Sequence, residues 1–80
     1  MTREEMLDML RNGLCYVEFE KKDGTLREMT CTVNQTYIPR DKMPKDGVDY
    51  ADSVIRVFEV SKDQWRSFRV DSVKKIEKVK

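Results

Sequence analysis

The chain has 80 residues, of which 39% are hydrophobic and 39% charged, and its formal net charge is +1. This length supports one small domain spanning residues 1–80, and the apolar content argues against intrinsic disorder. Histidine is absent, and the two cysteines lack the spacing of a structural zinc site, so the sequence predicts no metal site, no cofactor and no histidine-based catalysis.

The first element predicted is a helix over residues 2–12. Thr2 and Glu5 have the spacing of a capping box, in which each side chain binds a backbone N–H at the start of a helix. Gly13 ends the pattern after about three turns. A helix this short is marginal alone, so its apolar face is expected to pack over the end of a sheet. That face carries Met6, Leu7, Met9 and Leu10.

Residues 14–33 predict a β-hairpin, because apolar and polar residues alternate on both sides of "KKDGT". A two-residue turn at Asp23 and Gly24 would place core residues opposite polar ones. A three-residue loop, with Gly24 in a left-handed conformation, instead pairs apolar residues with each other. We expect this second register, which pairs Val17 with Met29 and Cys15 with Cys31.

The two cysteines would then face each other on the buried side of the hairpin. Their proximity suggests either a redox switch or a pair of small buried apolar residues, and a chain without a recognisable export signal favours the second interpretation. No apolar run reaches the length of a membrane span, so the predicted location is cytoplasmic and no membrane partner is expected.

Residues 34–52 interrupt the alternation with two prolines and a glycine, and predict a long loop. Its apolar content is too high for a free linker, so some of these side chains should fold over the sheet while others remain available to a partner. The apolar residues of the loop are Tyr37, Ile38, Met43, Val48 and Tyr50.

Residues 53–71 predict a second hairpin, with a four-residue loop from Ser61 to Gln64. Both of its faces carry apolar residues, so the helix and the long loop are each expected to cover one face. Residues 72–79 predict a turn and a final short strand with Ile76 pointing inward. The expected pairs in this hairpin are Val57 with Phe68, Ile55 with Val70, Val60 with Trp65 and Phe58 with Ser67.

Together these elements predict a mainly β fold, a small five-stranded SH3-like barrel preceded by an N-terminal α-helix. An open α+β sandwich is the alternative. Charge is divided unequally along this fold, since residues 1–53 carry eight basic and eleven acidic side chains while residues 54–80 carry eight and four. The C-terminal part is therefore either one half of a polarised binding face or a solvated surface with a basic tail.

Three groups of residues carry a family resemblance: the "KKDGT" turn, the "MTCT" strand and the hairpin "VIRVFEVSKDQWRSFRVDSV". Over about residues 13–78 the chain resembles a family of short uncharacterised proteins of tailed bacteriophages and some bacteria with an SH3 β-barrel fold. The resemblance implies fold and phage-type origin, and for a phage-encoded chain the host cytoplasm as location.

The segment "WRSFRVDSV" is also similar, more distantly, to the last strand region of WYL sensor domains. That resemblance implies a basic surface for nucleic acid or nucleotide ligands, although the chain lacks both an upstream Trp-Tyr-Leu signature and a helix-turn-helix domain. The positions that match the WYL segment are Trp65, Arg66, Phe68, Arg69 and Asp71.

Strand alternation places Arg66 and Arg69 on opposite faces, with Trp65 on the face of Arg69 and near Arg56. An indole beside guanidinium groups suits stacking and phosphate pairing with single-stranded nucleic acid. In the alternative interpretation, Trp65 covers the barrel and Arg69 pairs with Asp71 or Glu59.

Three function classes follow from these residues. The first is a non-catalytic module that docks on a host or phage protein, for which exposed Tyr37, Ile38 and Tyr50 are candidate contacts. The second is a nucleic-acid or nucleotide binder that uses Arg56, Trp65, Arg66 and Arg69. The third is an enzyme, but no Ser-His, Cys-His or phosphate-loop pattern is present, so we expect no catalysis. Homodimerisation through the outer apolar face of the second hairpin is a further alternative.

Overall fold

The computed structural model describes residues 1–43 and 52–79, which form one helix and a five-stranded antiparallel sheet. Four short 3₁₀ turns complete the described elements, at Gln35–Tyr37, Arg40–Lys42, Val60–Lys62 and Val70–Ser72. The helix and strands are α1 (Arg3–Arg11), β1 (Cys15–Glu20), β2 (Leu26–Thr32), β3 (Val54–Glu59), β4 (Gln64–Arg69) and β5 (Val73–Lys78).

Helix α1 begins with the predicted capping box. The Glu5 N–H donates to Thr2 Oγ1, and the Thr2 N–H donates to Glu5 Oε1 at 2.8 Å. At the other end, the hydroxyl of Thr32 on β2 lies 2.9 Å from the Leu10 carbonyl oxygen and 2.7 Å from that of Gly13. These contacts tie the last turn of the helix to the sheet and orient its buried face, formed by Met6, Leu7 and Leu10.

The β1–β2 hairpin has the predicted register, with Cys15 opposite Cys31 and Val17 opposite Met29. Its three-residue loop closes with the Lys21 N–H donating to the Thr25 carbonyl oxygen, and Gly24 adopts a φ of +89°. A left-handed φ at this position is unfavourable for any residue with a Cβ, so glycine selects the longer loop over the two-residue turn.

In the β3–β4 hairpin the predicted register is wrong by two residues. Ile55 lies opposite Phe68, Val57 opposite Arg66, and Phe58 opposite Trp65. The chain leaves the strand at Val60 and turns through a 3₁₀ segment before the left-handed Asp63, so the loop lies one residue earlier than expected. A shift of two residues leaves every side chain on its predicted face.

The sheet order is β4-β3-β2-β1-β5, so β1 pairs with both β2 and β5. The sheet curls far enough to bring the Phe19 ring of β1 against the Phe68 ring of β4, with the ring centroids 5.7 Å apart. The five-stranded sheet with its single helix confirms the predicted mainly β architecture of the described residues. One apolar cluster lies inside the curl of the sheet. Its buried members are Met6, Leu7, Leu10, Cys15, Val17, Met29, Cys31, Ile55, Val57 and Phe68.

Both cysteines are fully buried and their thiols are free. Burial raises the pKa of Cys31 to about 12 and also raises the pKa of Cys15. A thiol held protonated inside an apolar cluster is a poor nucleophile, which agrees with the interpretation of both residues as core.

The described part of the long loop, residues 34–43, contains the first two 3₁₀ turns. Ile38 is buried, so its prediction as an exposed contact is wrong and it is one of the loop residues that fold back onto the protein, whereas Tyr37 is 44% exposed. Phe58 is also buried but lies outside the main cluster, on the other face of β3. The apolar loop residue Val48 and the predicted contact Tyr50 fall outside the described residues.

The C-terminal strand follows its prediction. The chain turns at Val70–Ser72, and β5 then pairs with β1, placing Ile76 opposite Val17 and against the core. Across the described residues, no helix is long and apolar enough to cross a membrane.

Candidate functional site

The outer edge of β4 borders an open depression of about 390 Å³. The depression lies between the β1–β2 hairpin and β4, which forms one edge of the sheet. Three of its six lining residues are cationic and two are aromatic, a composition suited to an anionic or mixed ligand. The lining residues are Phe19, Lys21, Arg27, Trp65, Arg66 and Ser67.

A second depression of about 270 Å³ continues along the same edge and shares Phe19, Lys21 and Ser67 with the first. It adds two further cations, Lys22 and Arg69. We call eight of these lining residues the seam surface, which leaves out the exposed carboxylate of Glu20 in the second depression. It consists of Phe19, Lys21, Lys22 and Arg27 from the first hairpin and Trp65, Arg66, Ser67 and Arg69 from β4.

Two arginines of the seam surface are held by one buried carboxylate. Glu59 at the end of β3 has a side chain only 2% exposed, and its Oε1 accepts a hydrogen bond from Arg27 Nη2 at 2.7 Å and from Arg66 Nε at 3.2 Å. The side chains of Arg27 and Arg66 remain partly exposed, at 28% and 37%. Glu59 therefore orients two positive groups that border the first depression, and a buried carboxylate without such partners would be strongly destabilising.

Trp65 is half-buried and held on three sides. The Arg56 guanidinium lies over its ring, with Cζ 4.9 Å from the centroid, and buried Phe58 meets it edge to face at 5.6 Å. The indole Nε1–H donates to the carbonyl oxygen of Lys42 in the long loop. Trp65 thus joins the loop to the sheet, as in the alternative interpretation of this residue.

Arg69 lies on the same face as Trp65 but does not meet it. Arg69 is four positions further along the strand, which is about 13 Å. Arg69 instead binds Asp71 through Nε and Nη2, at 3.2 and 3.4 Å. This ion pair lowers the pKa of Asp71 and raises that of Arg69. The two strand arginines therefore bind different carboxylates, as expected for side chains on opposite faces.

The six residues proposed from the sequence are only partly brought together. Arg56 contacts Trp65, and Trp65 and Arg66 border one depression while Arg69 borders the next. Tyr37 lines neither depression, and Tyr50 lies outside the described residues. Their roles in binding stay predictions.

Sequence reasoning did not include Phe19, Lys21, Arg27 or Glu59 in the candidate site. A signal for Glu59 was present, because it continues the inward alternation of Ile55 and Val57 along β3. A carboxylate at an inward position requires a cationic partner. The sequence does not indicate which cation supplies it, because Arg27 is 32 residues away along the chain.

Within residues 1–43 and 52–79 no group of three or more carboxylate or cysteine side chains is arranged to hold a metal ion. In the same segments, no buried side-chain nitrogen or oxygen lacks a hydrogen-bond partner.

Comparison with known proteins gives two matches. Residues 3–74 match the model of the WYL_2 family, described as an Sm-like SH3 β-barrel fold. The chain is also 32% identical, over 74 residues, to an uncharacterised 11.5 kDa protein from the Gp31-cd intergenic region of Enterobacteria phage T4. That alignment covers 89% of this chain and 72% of the phage protein. No solved structure matches. The predicted SH3-like barrel and the predicted phage-type resemblance are confirmed.

Proposed function

Since this chain belongs to the WYL_2 family of Sm-like SH3 β-barrel proteins, we propose that it is a phage-type accessory protein that acts by binding rather than by catalysis. Its partner is a host or phage protein, and the seam surface is the site of contact. In support of this proposal, the phage T4 relative is also a small protein, of 11.5 kDa, and the alignment covers 72% of it.

The observation that carries the proposal is the composition of the seam surface. An indole, a phenyl ring and several cations line two adjoining depressions. Protein interfaces are enriched in aromatic residues and arginine, and tryptophan and arginine are the side chains that most often dominate binding energy. Two of the arginines are also oriented in advance by Glu59, which lowers the entropy lost when a partner binds.

Affinity capture from lysate of phage-infected host cells tests this proposal. The bait proteins are the wild type, a seam variant with Lys21→Glu and Arg69→Glu, and a control with Lys62→Glu and Lys78→Glu. All four changed side chains are exposed, and both variants change the net charge equally. A partner should be retained by the wild type and the control and lost from the seam variant, and the loss should recur with the purified partner. Equal retention by the two variants would contradict the seam as the contact site.

A second candidate is binding of single-stranded nucleic acid, favoured by the contact of Arg56 with Trp65 beside the seam cations. Fluorescence anisotropy with labelled DNA and RNA oligonucleotides at low and high salt tests it, with Trp65→Ala and Arg69→Ala alongside. A nucleic-acid ligand predicts binding that weakens steeply with salt and falls in both variants. Absence of binding at low salt excludes this candidate.

A further inference from the structure

The backbone along the outer edge of β4 presents hydrogen-bonding groups at alternate residues. The Val70 N–H donates to the Ser53 carbonyl oxygen at 2.8 Å, which sets the alternation of the β3–β4 ladder. Arg66 and Phe68 therefore exchange their bonds with β3, while the N–H and C=O groups of Trp65 and Ser67 and the N–H of Arg69 point away from it. The Arg69 carbonyl oxygen accepts a hydrogen bond from the Ser72 hydroxyl at 2.8 Å. In the described ranges, 1–43 and 52–79, no strand pairs with this edge.

The side chains beside this edge are mostly positive. The two depressions that follow it are lined by five cations and by the carboxylate of Glu20. Two further carboxylates bind these cations, since Glu59 holds Arg27 and Arg66 and Asp71 holds Arg69, so the positive groups still outnumber the negative ones. The five cations are Lys21, Lys22, Arg27, Arg66 and Arg69. Exposed edges are often protected by charge, because charged side chains hinder pairing with strands of the same sign. The same charges favour a strand of opposite sign.

From this geometry we propose that the seam surface takes an extended acidic segment of the partner protein as an additional strand on β4. The inference rests on the proposed function, since it names how that partner binds. The outward N–H and C=O groups would form the ladder, and the carboxylates of the segment would lie against the seam cations. Strand addition at an open sheet edge is an established mode of peptide recognition.

Charge argues against a second copy of this chain as the occupant. Its other edge strand, β5, carries Lys74, Lys75 and Lys78 against Glu77. Such a strand would place lysines beside the cations of the seam, and juxtaposed like charges oppose pairing. A phosphate backbone is also a poor match, since it has no donors for the outward carbonyl groups.

A synthetic acidic peptide provides the direct test. The probe is an acetylated, amidated peptide of about eight residues with alternating glutamate and valine, long enough to span the six residues of β4. Two further versions carry N-methyl groups on one or the other alternate set of amides, and a fourth replaces glutamate with lysine. Binding is followed by amide chemical shifts and hydrogen exchange of the ¹⁵N-labelled protein.

The proposal predicts that saturating peptide slows exchange at Trp65, Ser67 and Arg69, with little effect at Arg66 and Phe68. Methylating the set of amides that faces β4 should weaken binding by about tenfold or more, whereas methylating the other set should not. The seam variant with Lys21→Glu and Arg69→Glu should lose binding, and the control with Lys62→Glu and Lys78→Glu should keep it.

Three results would overturn strand addition: no binding of the acidic peptide up to about 1 mM at low salt, equal effects of the two methylation patterns, or equal binding of the lysine peptide. An oligonucleotide that binds without slowing the three β4 amides would identify a phosphate ligand instead. The capture experiment distinguishes failure of strand addition from failure of the proposed function. A partner that depends on the seam cations while strand addition fails leaves the proposed function standing and rejects only its mode.

Discussion

Replacing Glu59 by glutamine is expected to destabilise the protein by about 2–3 kcal/mol. The carboxylate accepts one hydrogen bond from Arg27 and one from Arg66, and hydrogen bonds to charged groups each contribute about 1.5–3 kcal/mol. The amide oxygen of glutamine retains part of this interaction. Both guanidinium groups are partly exposed and can be hydrated, so the loss stays below the cost of breaking a fully buried pair.

Thermal and urea unfolding followed by circular dichroism measure this change. For a domain of this size the expected fall in Tm is about 10–20 °C. Glu20→Gln is the matched control, because that exposed carboxylate lies 4.0 Å from Lys74, and its change should stay within about 0.5 kcal/mol. Arg27→Met completes a double-mutant cycle with Glu59→Gln. A Glu59→Gln effect no larger than the control, or additive losses in the cycle, would refute the role assigned to Glu59.

Four further outcomes are expected. Thr32→Val should lower the free energy of unfolding in urea by about 2 kcal/mol, because the buried hydroxyl contacts the carbonyl oxygens of Leu10 and Gly13 and accepts from the Asn34 N–H. The control Thr30→Val should change little, and equal losses in the two variants would contradict this. Gly24→Ala should cost about 1 kcal/mol from its φ of +89° alone, since no atom lies within 4 Å of the added Cβ, and an unchanged midpoint would argue against the left-handed turn. Native Cys15 and Cys31 should resist a thiol reagent at about pH 8 and react in urea, and rapid native reaction would disprove their burial. Because folding raises the pKa of Cys31 from 9.0 to about 12, its stabilising contribution is full below pH 9.0 and should decline as the pH rises toward 12.

The candidate site was less predictable than the strands that form it. Strand alternation correctly placed Arg66 and Arg69 on opposite faces, because side-chain direction along a strand is a local property. It placed both Arg56 and Arg69 near Trp65 and did not reveal that only Arg56 lies over the ring, because that contact depends on the cross-strand register. The register in turn depended on where the β3–β4 loop begins, and Val60 is compatible with either a strand or a turn.

Local chemistry in the sequence determined the helix, the five strands and the register of the first hairpin. The capping box, the two-residue alternation and the left-handed glycine each act within a few residues, so their consequences can be worked out without knowing the fold. Only the tertiary structure decided that Arg27 and Arg66 converge on Glu59 and that β4 is an edge strand of the sheet formed by the described residues. Both features arise from strands far apart in the chain that meet when the sheet curls, and their energies depend on burial and distance that no local pattern encodes.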